Sequence, residues 1–153
     1  MENLSLISIS GFINTKAQIQ QIIELYAAYY QHDFPIQLDM FHSTIMSLPD
    51  TQWILVLYDT QSNRVCGIVN VLVEHSLLYG GKSVCHITEL IVVEPLRRKG
   101  YGTFILDNIL HYARRQKCKL IRACITRAND ASTAFFVHNG FNCVNTNIYE
   151  RGV

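Results

Sequence analysis

Apolar and polar positions alternate from Leu4 to Ser10, the period-two signature of a half-buried first strand. From Asn14 the rhythm changes: Ile19, Ile22, Ile23, Tyr26, Ala27 and Tyr30 recur at helical spacing, with Asn14 or Thr15 as the cap. A second, shorter helix is predicted over Leu38 to Leu48. Gln52 to Tyr58 and Val65 to Glu74 read as two strands joined by the polar turn around Thr60 to Asn63. Tyr79-Gly80-Gly81-Lys82 signals another hairpin and feeds a strand from Ser83 to Val93, which Pro95 ends. Gly102 to Lys117 is amphipathic, with Ile105, Ile109 and Ala113 on one face and Leu106 and Leu110 beside them. A strand over Leu120 to Thr126, a helix over Asp130 to Asn139 closed by Gly140, and a last strand over Asn145 to Arg151 complete the pattern. The order β-α-α-β-β-β-α-β-α-β predicts an α/β fold: a single mixed central sheet with helices on both faces.

Composition narrows the class. With 153 residues, 49% hydrophobic and 16% charged, the chain is expected to form one folded domain over residues 1–153, and disorder is excluded. No repeat, low-complexity tract or linker divides it. No apolar run is long enough to span a bilayer; the longest, Cys85 to Val93, is interrupted by His86, Thr88 and Glu89. The opening MENLSLISIS has an acidic start and no small-residue cleavage site, so no secretory signal is expected. Cys66, Cys85, Cys118, Cys124 and Cys143 are odd in number and never spaced as CxxC, which favours reduced thiols in a cytoplasmic protein. The histidines His32, His42, His75, His111 and His138 lack the close pairing of a metal set, so no metal is expected.

Net charge is only +1, but it is unevenly spread. Residues 97–127 hold Arg97, Arg98, Lys99, Arg114, Arg115, Lys117, Lys119, Arg122 and Arg127 against Asp107 alone. Residues 1–96 hold Lys16, Arg64 and Lys82 against nine carboxylates. A basic half suits a polyanionic ligand and an acidic half a cationic one, although solvated helix faces would give the same counts.

The strongest local signal is Glu94-Pro95-Leu96-Arg97-Arg98-Lys99-Gly100-Tyr101-Gly102-Thr103, set between a buried strand and an amphipathic helix. Glycines at such a junction let backbone N–H groups turn inward. The helix start adds its own unpaired donors and positive dipole end, so the turn can hold a pyrophosphate. A basic strand-to-helix loop without a ligand would read similarly. Two other phosphate motifs are excluded: Ile105 stands where a dinucleotide fingerprint needs its third glycine, and no Gly-Lys-Ser/Thr follows for a P-loop.

Arg97-x-x-Gly100-x-Gly102 resembles the (Gln/Arg)-x-x-Gly-x-(Gly/Ala) motif of the GNAT superfamily of N-acetyltransferases. Asn129, followed by Gly140-Phe141, resembles that family's second cofactor segment, N…FYxxxGF. The element order matches over essentially the whole chain. The resemblance implies a GNAT fold with a splayed pair of strands, and acetyl-CoA as acetyl donor, its pyrophosphate cradled by Arg97, Arg98, Lys99, Gly100, Tyr101, Gly102 and Thr103. It also implies that the Leu90 N–H stabilises the thioester oxyanion, that Val92 pairs with the pantetheine arm, and that Asn129 contacts that arm from the other side. Catalysis would be direct attack by a neutral amine in a ternary complex, with a base to remove one proton from the ammonium.

For the base, strict alternation puts His86, Thr88 and Leu90 on one strand face, and His86 aligns with a position where relatives keep a glutamate or histidine. Glu89 nominally points the other way but could be re-aimed by a bulge at the splay, where relatives also carry an acid. His86 is the first choice and Glu89 the second; the alternative is that His86 packs and Glu89 bonds backbone. Cys124 aligns with a glutamate of ribosomal-protein acetyltransferases and is a poor substitute. Phe136 stands where the family usually has a tyrosine that protonates the departing thiolate, which phenylalanine cannot do.

Val73 to Gly81 and His86 to Glu89 are similar to small-amine members, including glucosamine-6-phosphate and aminoalkylphosphonate acetyltransferases. A small-molecule primary amine is therefore the expected acceptor, with a protein lysine or N-terminus second. The resemblance admits a homodimer. Two other classes stay open: a non-catalytic acetyl-CoA-binding module, and a nucleic-acid-binding domain. The latter is disfavoured by near-neutral charge, so neither a nucleic-acid nor a membrane partner is expected.

Overall fold

The computed structural model describes residues 3–30, 38–124 and 130–144. Five strands form one sheet in chain order: β1 (Leu4–Ser8), β2 (Gln52–Asp59), β3 (Arg64–Ser76), β4 (Lys82–Val92) and β5 (Leu120–Ala123). The first four pair antiparallel, and β5 joins β4 in parallel. That parallel step needs a crossover, which α4 (Tyr101–Arg115) supplies. Three helices, α1 (Ile9–Phe12), α2 (Lys16–Tyr30) and α3 (Leu38–Met46), precede β2, and α5 (Asp130–His138) follows β5.

The sheet is covered on both faces, as the alternating pattern requires. On one face Val56, Ile68 and Ile91 pack with Ile9, Phe12, Ile22 and Leu25 of α1 and α2. On the other, Leu57, Val69, Val71, Cys85 and Ile87 meet Ile105, Leu106 and Ile109 of α4. Ile22, Ile68, Ile105 and Leu106 are fully buried, so each contributes on the order of 1.5–3 kcal/mol of burial free energy. This is the mixed α/β architecture read from the sequence.

The first strand is shorter than its alternation predicts. Past Ser8 the chain turns into α1, because Ile9 and Phe12, three apart, both bury against the sheet. Phe12 meets Tyr58 edge-on at 4.8 Å between ring centroids. Of the two candidate caps for α2, Thr15 is the one used. Its Oγ1 accepts from the Gln18 N–H at 3.2 Å while Gln18 Oε1 accepts from the Thr15 N–H at 3.0 Å, a reciprocal capping box. The α5 helix ends at His138, and Gly140 just past it, with φ of +82°, lets Phe141 N–H reach Phe136 O at 3.0 Å. The strand expected over Asn145 to Arg151 lies outside the described residues. So does the end of the strand expected over Leu120 to Thr126.

Candidate active site

The site begins with one extra residue in β4. Asn70 pairs with Glu89 but Val71 pairs with Ile87, so Thr88 is left without an opposite number. Such a bulge reverses the facing of everything beyond it. Cys85 and Ile87 face α4 before it, and Leu90 and Val92 do so after it. Glu89 and Ile91 therefore face α2, on the same side as His86. The expectation that His86, Thr88 and Leu90 share a face is overturned, and the bulge is the reason.

The second feature is an open strand edge. β5 runs beside β4 from the Val84–Leu120 pair to the Ile87–Ala123 pair, and Cys124 N–H still reaches Ile87 O at 3.2 Å. Beyond that, no described strand flanks β4 on this side. Val93 N–H donates to Cys66 O of β3 at 3.0 Å, and N–H directions alternate along a strand. The N–H groups of Leu90 and Val92 therefore point away from β3, into the gap. A cleft of about 340 Å³ occupies it, lined by Ile87 to Ile91 of β4, Cys124, Ser132 and Phe136 of α5, and Tyr29 and Tyr30 of α2. Because α2 and α5 lie on opposite faces, the cleft passes through the edge of the sheet and joins its two sides.

Glu89 is the carboxylate in this cleft, and both its oxygens are held. Tyr26 Oη donates to Oε2 at 2.8 Å and Tyr30 Oη donates to Oε1 at 3.2 Å. Burial raises the Tyr26 pKa well above the ordinary phenol value, and the adjacent Glu89 charge pushes it further the same way. Tyr26 thus stays a donor. His86 is placed differently: it is outside the cleft lining, its side chain is 13% exposed, and its Nε2 lies 2.9 Å from Glu74 Oε1. Across the strands His86 pairs with Arg122, which donates to Tyr79 Oη at 3.3 Å. Cys85 is no nucleophile, since burial raises its pKa to about 12.

The glycine turn lies between β4 and α4. Arg97 folds back and donates from Nε to Val92 O at 3.0 Å. Arg98 and Gly100 have φ of +60° and +86°, so the backbone curls, and α4 starts on a residue with no side chain to cap it. The first-turn N–H groups of Tyr101, Gly102 and Thr103 are the orphan donors of that helix start. Arg98 and Lys99 are exposed beside them.

Gly102 has a second role that the sequence did not reveal. A Cβ there would lie 3.1 and 3.2 Å from two carbons of the Phe135 ring, so this glycine lets α5 close against α4. Gly102→Ile is expected to push Phe135 aside and destabilise the protein by about 1–3 kcal/mol. Chemical denaturation measures this, and an unchanged midpoint would mean that α5 does not depend on the contact.

The structure thus brings Glu89, Leu90 and Phe136 to one cleft and sets Val92 and the residues Arg97 to Thr103 along the same edge and turn. Asn129 lies outside the described residues. Tyr29, Tyr30 and Ser132 are cleft residues that sequence reasoning missed, and Tyr26 is the missed partner of Glu89. Tyr26 and Tyr30 were visible only as members of a helical apolar stripe, which is also how ordinary core tyrosines look. Among the described residues no group of His, Cys, Asp and Glu is clustered to hold a metal ion, and no helix is long and apolar enough to cross a membrane.

This sheet, its edge cleft and its glycine turn define an acyltransferase fold. The sequence profile of the Acetyltransferase (GNAT) family matches residues 19–141, and the chain belongs to that family. A search of curated protein sequences found no match. Among solved structures, the fold is similar to an aminoglycoside acetyltransferase from an uncultured soil metagenomic sample, with TM-score 0.79, 14% identity, and 99% of this chain and 97% of that one covered. It is also similar to glucosamine-6-phosphate N-acetyltransferase from Arabidopsis thaliana, with TM-score 0.79, 13% identity and 97% of each chain covered. An acetyltransferase from Trypanosoma brucei gives TM-score 0.76, 16% identity, and 97% of this chain and 99% of that one covered. At these identities the likeness is one of fold.

Proposed function

We propose that this protein is an acetyl-CoA-dependent N-acetyltransferase acting on a small-molecule primary amine by direct attack in a ternary complex. The observation that carries this reading is the through-sheet cleft, where the Glu89 carboxylate on the α2 face borders the strand edge into which the Leu90 N–H points. Acetyl-CoA is a substrate here. Its pyrophosphate fits the curled backbone from Arg98 to Thr103, where unpaired N–H groups and exposed Arg98 and Lys99 supply donors and positive charge. Val92 N–H suits the amide-bearing pantetheine arm as a strand partner would. Leu90 N–H then faces the thioester carbonyl oxygen and stabilises the charge it gains on attack.

The acceptor reaches the cleft from the α2 side, and Glu89 takes one proton from its ammonium. The freed nitrogen lone pair attacks the acyl carbon, and the adduct collapses with cleavage of the C–S bond. The nitrogen gives its second proton to solvent to become the amide, and the CoA thiolate takes a proton from solvent. Glu89 is the better base candidate on geometry, because it lines the cleft whereas His86 is turned toward Glu74. The cleft volume of about 340 Å³ and its tyrosine wall favour a small acceptor over a folded protein surface. The buried thiols Cys66 and Cys85 fit the reducing, cytoplasmic setting that we propose.

Acetyl-CoA is expected to bind and to stabilise the fold, by about 2.7 kcal/mol at 100 times its dissociation constant. Calorimetric titration paired with thiol release over a panel of polyamines, aminoglycosides, amino-sugar phosphates and a lysyl peptide tests the reading. Neither binding nor thermal shift with acetyl-CoA or CoA would end it. Binding without thiol release would leave a non-catalytic module, and release with the peptide alone would make the acceptor a protein.

A further inference from the structure

Tyr26 and Tyr30 lie one helical turn apart on α2 and reach across to β4 with both hydroxyls on the same carboxylate. Their rings are parallel, 6.2 Å apart with an interplanar angle of 5°, so the two hydroxyls form the tines of a fork. Phenylalanine would fill the same space without burying a hydroxyl, and a buried hydroxyl is favourable only when bonded. The fork therefore has a job beyond packing. A carboxylate oxygen offers about two lone-pair sites, and each phenol uses one. One site per oxygen is left for the cleft. The mouth on that side is aromatic: Tyr29 is 41% exposed and meets Tyr30 edge-on at 5.0 Å.

We propose that Tyr26 and Tyr30 are positioning residues that lock the Glu89 carboxylate toward the acceptor, so that it receives the acceptor's ammonium on the oxygen sites the phenols leave. This rests on the acetyl-transfer reading above for its catalytic consequence, but the ammonium seat stands by itself. Two N–H groups of the ammonium engage the sites on Glu89 that the phenols leave. The proton that is lost goes to a Glu89 oxygen, and the nitrogen keeps the electron pair with which it attacks. Neither phenol can serve in place of Glu89, since both already donate their protons to it. Tyr26 is buried outside the cleft and acts only through Glu89.

A double-mutant cycle tests this on the full chain: wild type, Tyr26→Phe, Glu89→Gln and the double variant. Acceptor kcat/KM and acetyl-CoA affinity are read for each. Tyr26→Phe is expected to lower kcat/KM about tenfold while acetyl-CoA affinity holds. In the Glu89→Gln background it should add less than about twofold, because its partner is gone. A purely structural tyrosine would give equal losses in both backgrounds, and that result, or no loss in the wild-type background, overturns the proposal. Should Tyr26→Phe fold poorly, Tyr30→Phe runs the same cycle. Independently of turnover, n-butylamine is titrated near neutral pH against uncharged 1-butanol, with backbone amide shifts as readout. Butylammonium should perturb the α2–β4 mouth and butanol should not, and Glu89→Gln should abolish the difference. Equal binding of both probes would sink the ammonium seat. An ammonium seat without any acetyl transfer would sink the enzyme reading and leave the seat standing.

Discussion

Glu89→Gln is expected to lower kcat/KM for the amine by about 10²-fold or more while leaving acetyl-CoA affinity unchanged. Glutamine keeps the volume of the side chain and one acceptor oxygen for a phenol, so the cleft should hold its shape. What it loses is the ability to take a proton, and with it the negative charge that draws the ammonium in. Its amide also turns a donor toward one phenol, which must then accept where it donated before. The deficit should shrink as pH rises, because more of the amine then arrives neutral and needs no base. His86→Ala should cost much less, since His86 stands outside the cleft against Glu74. Steady-state kinetics on the two variants decide between them. A severe loss with His86→Ala and a mild one with Glu89→Gln would exchange the roles and restore the order that strand alternation suggests.

That exchange of preference shows where sequence reasoning stops. Helices and strands were legible because their periods are written into the apolar positions. The glycine turn was legible because backbone curvature there demands Gly100, at a φ of +86°. The bulge at Thr88 was raised only as an option at the splay, not located, because an inserted residue alters neither composition nor the run of apolar positions. It shows only as a change in which residues face α4, visible once β3 supplies a register. The phenol fork was hidden for a related reason. Tyr26 and Tyr30 lie about sixty positions from Glu89 in the chain, and only the packing of α2 on the sheet brings them together. Gly102 was read as room for a ligand, yet its missing side chain also makes room for Phe135. One residue can satisfy a motif and a packing constraint at once, and spacing alone reports only the motif.

The other large effect concerns the thiolate. Phe136 lines the cleft on the α5 side, its ring held edge-on between Phe135 at 5.1 Å and Phe141 at 5.2 Å. No proton can come from that ring, so on the proposed mechanism the departing CoA thiolate is protonated by solvent alone. Phe136→Tyr adds one oxygen to a ring whose packing is already set, and so tests chemistry with little disturbance of shape. If proton delivery limits turnover, kcat should rise, by up to about 10²-fold. A flat kcat with fast single-turnover chemistry would mean that product release limits the rate. Lost activity with the fold intact would mean that the hydroxyl meets a dry wall, where an unbonded phenol is costly. That last outcome would detach Phe136 from the sulfur and move the leaving group to another part of the cleft. A rise would instead fix the orientation of the donor within it: sulfur on the α5 side beside Phe136, acyl carbon beneath the Leu90 N–H, and the amine arriving from α2 by way of Glu89.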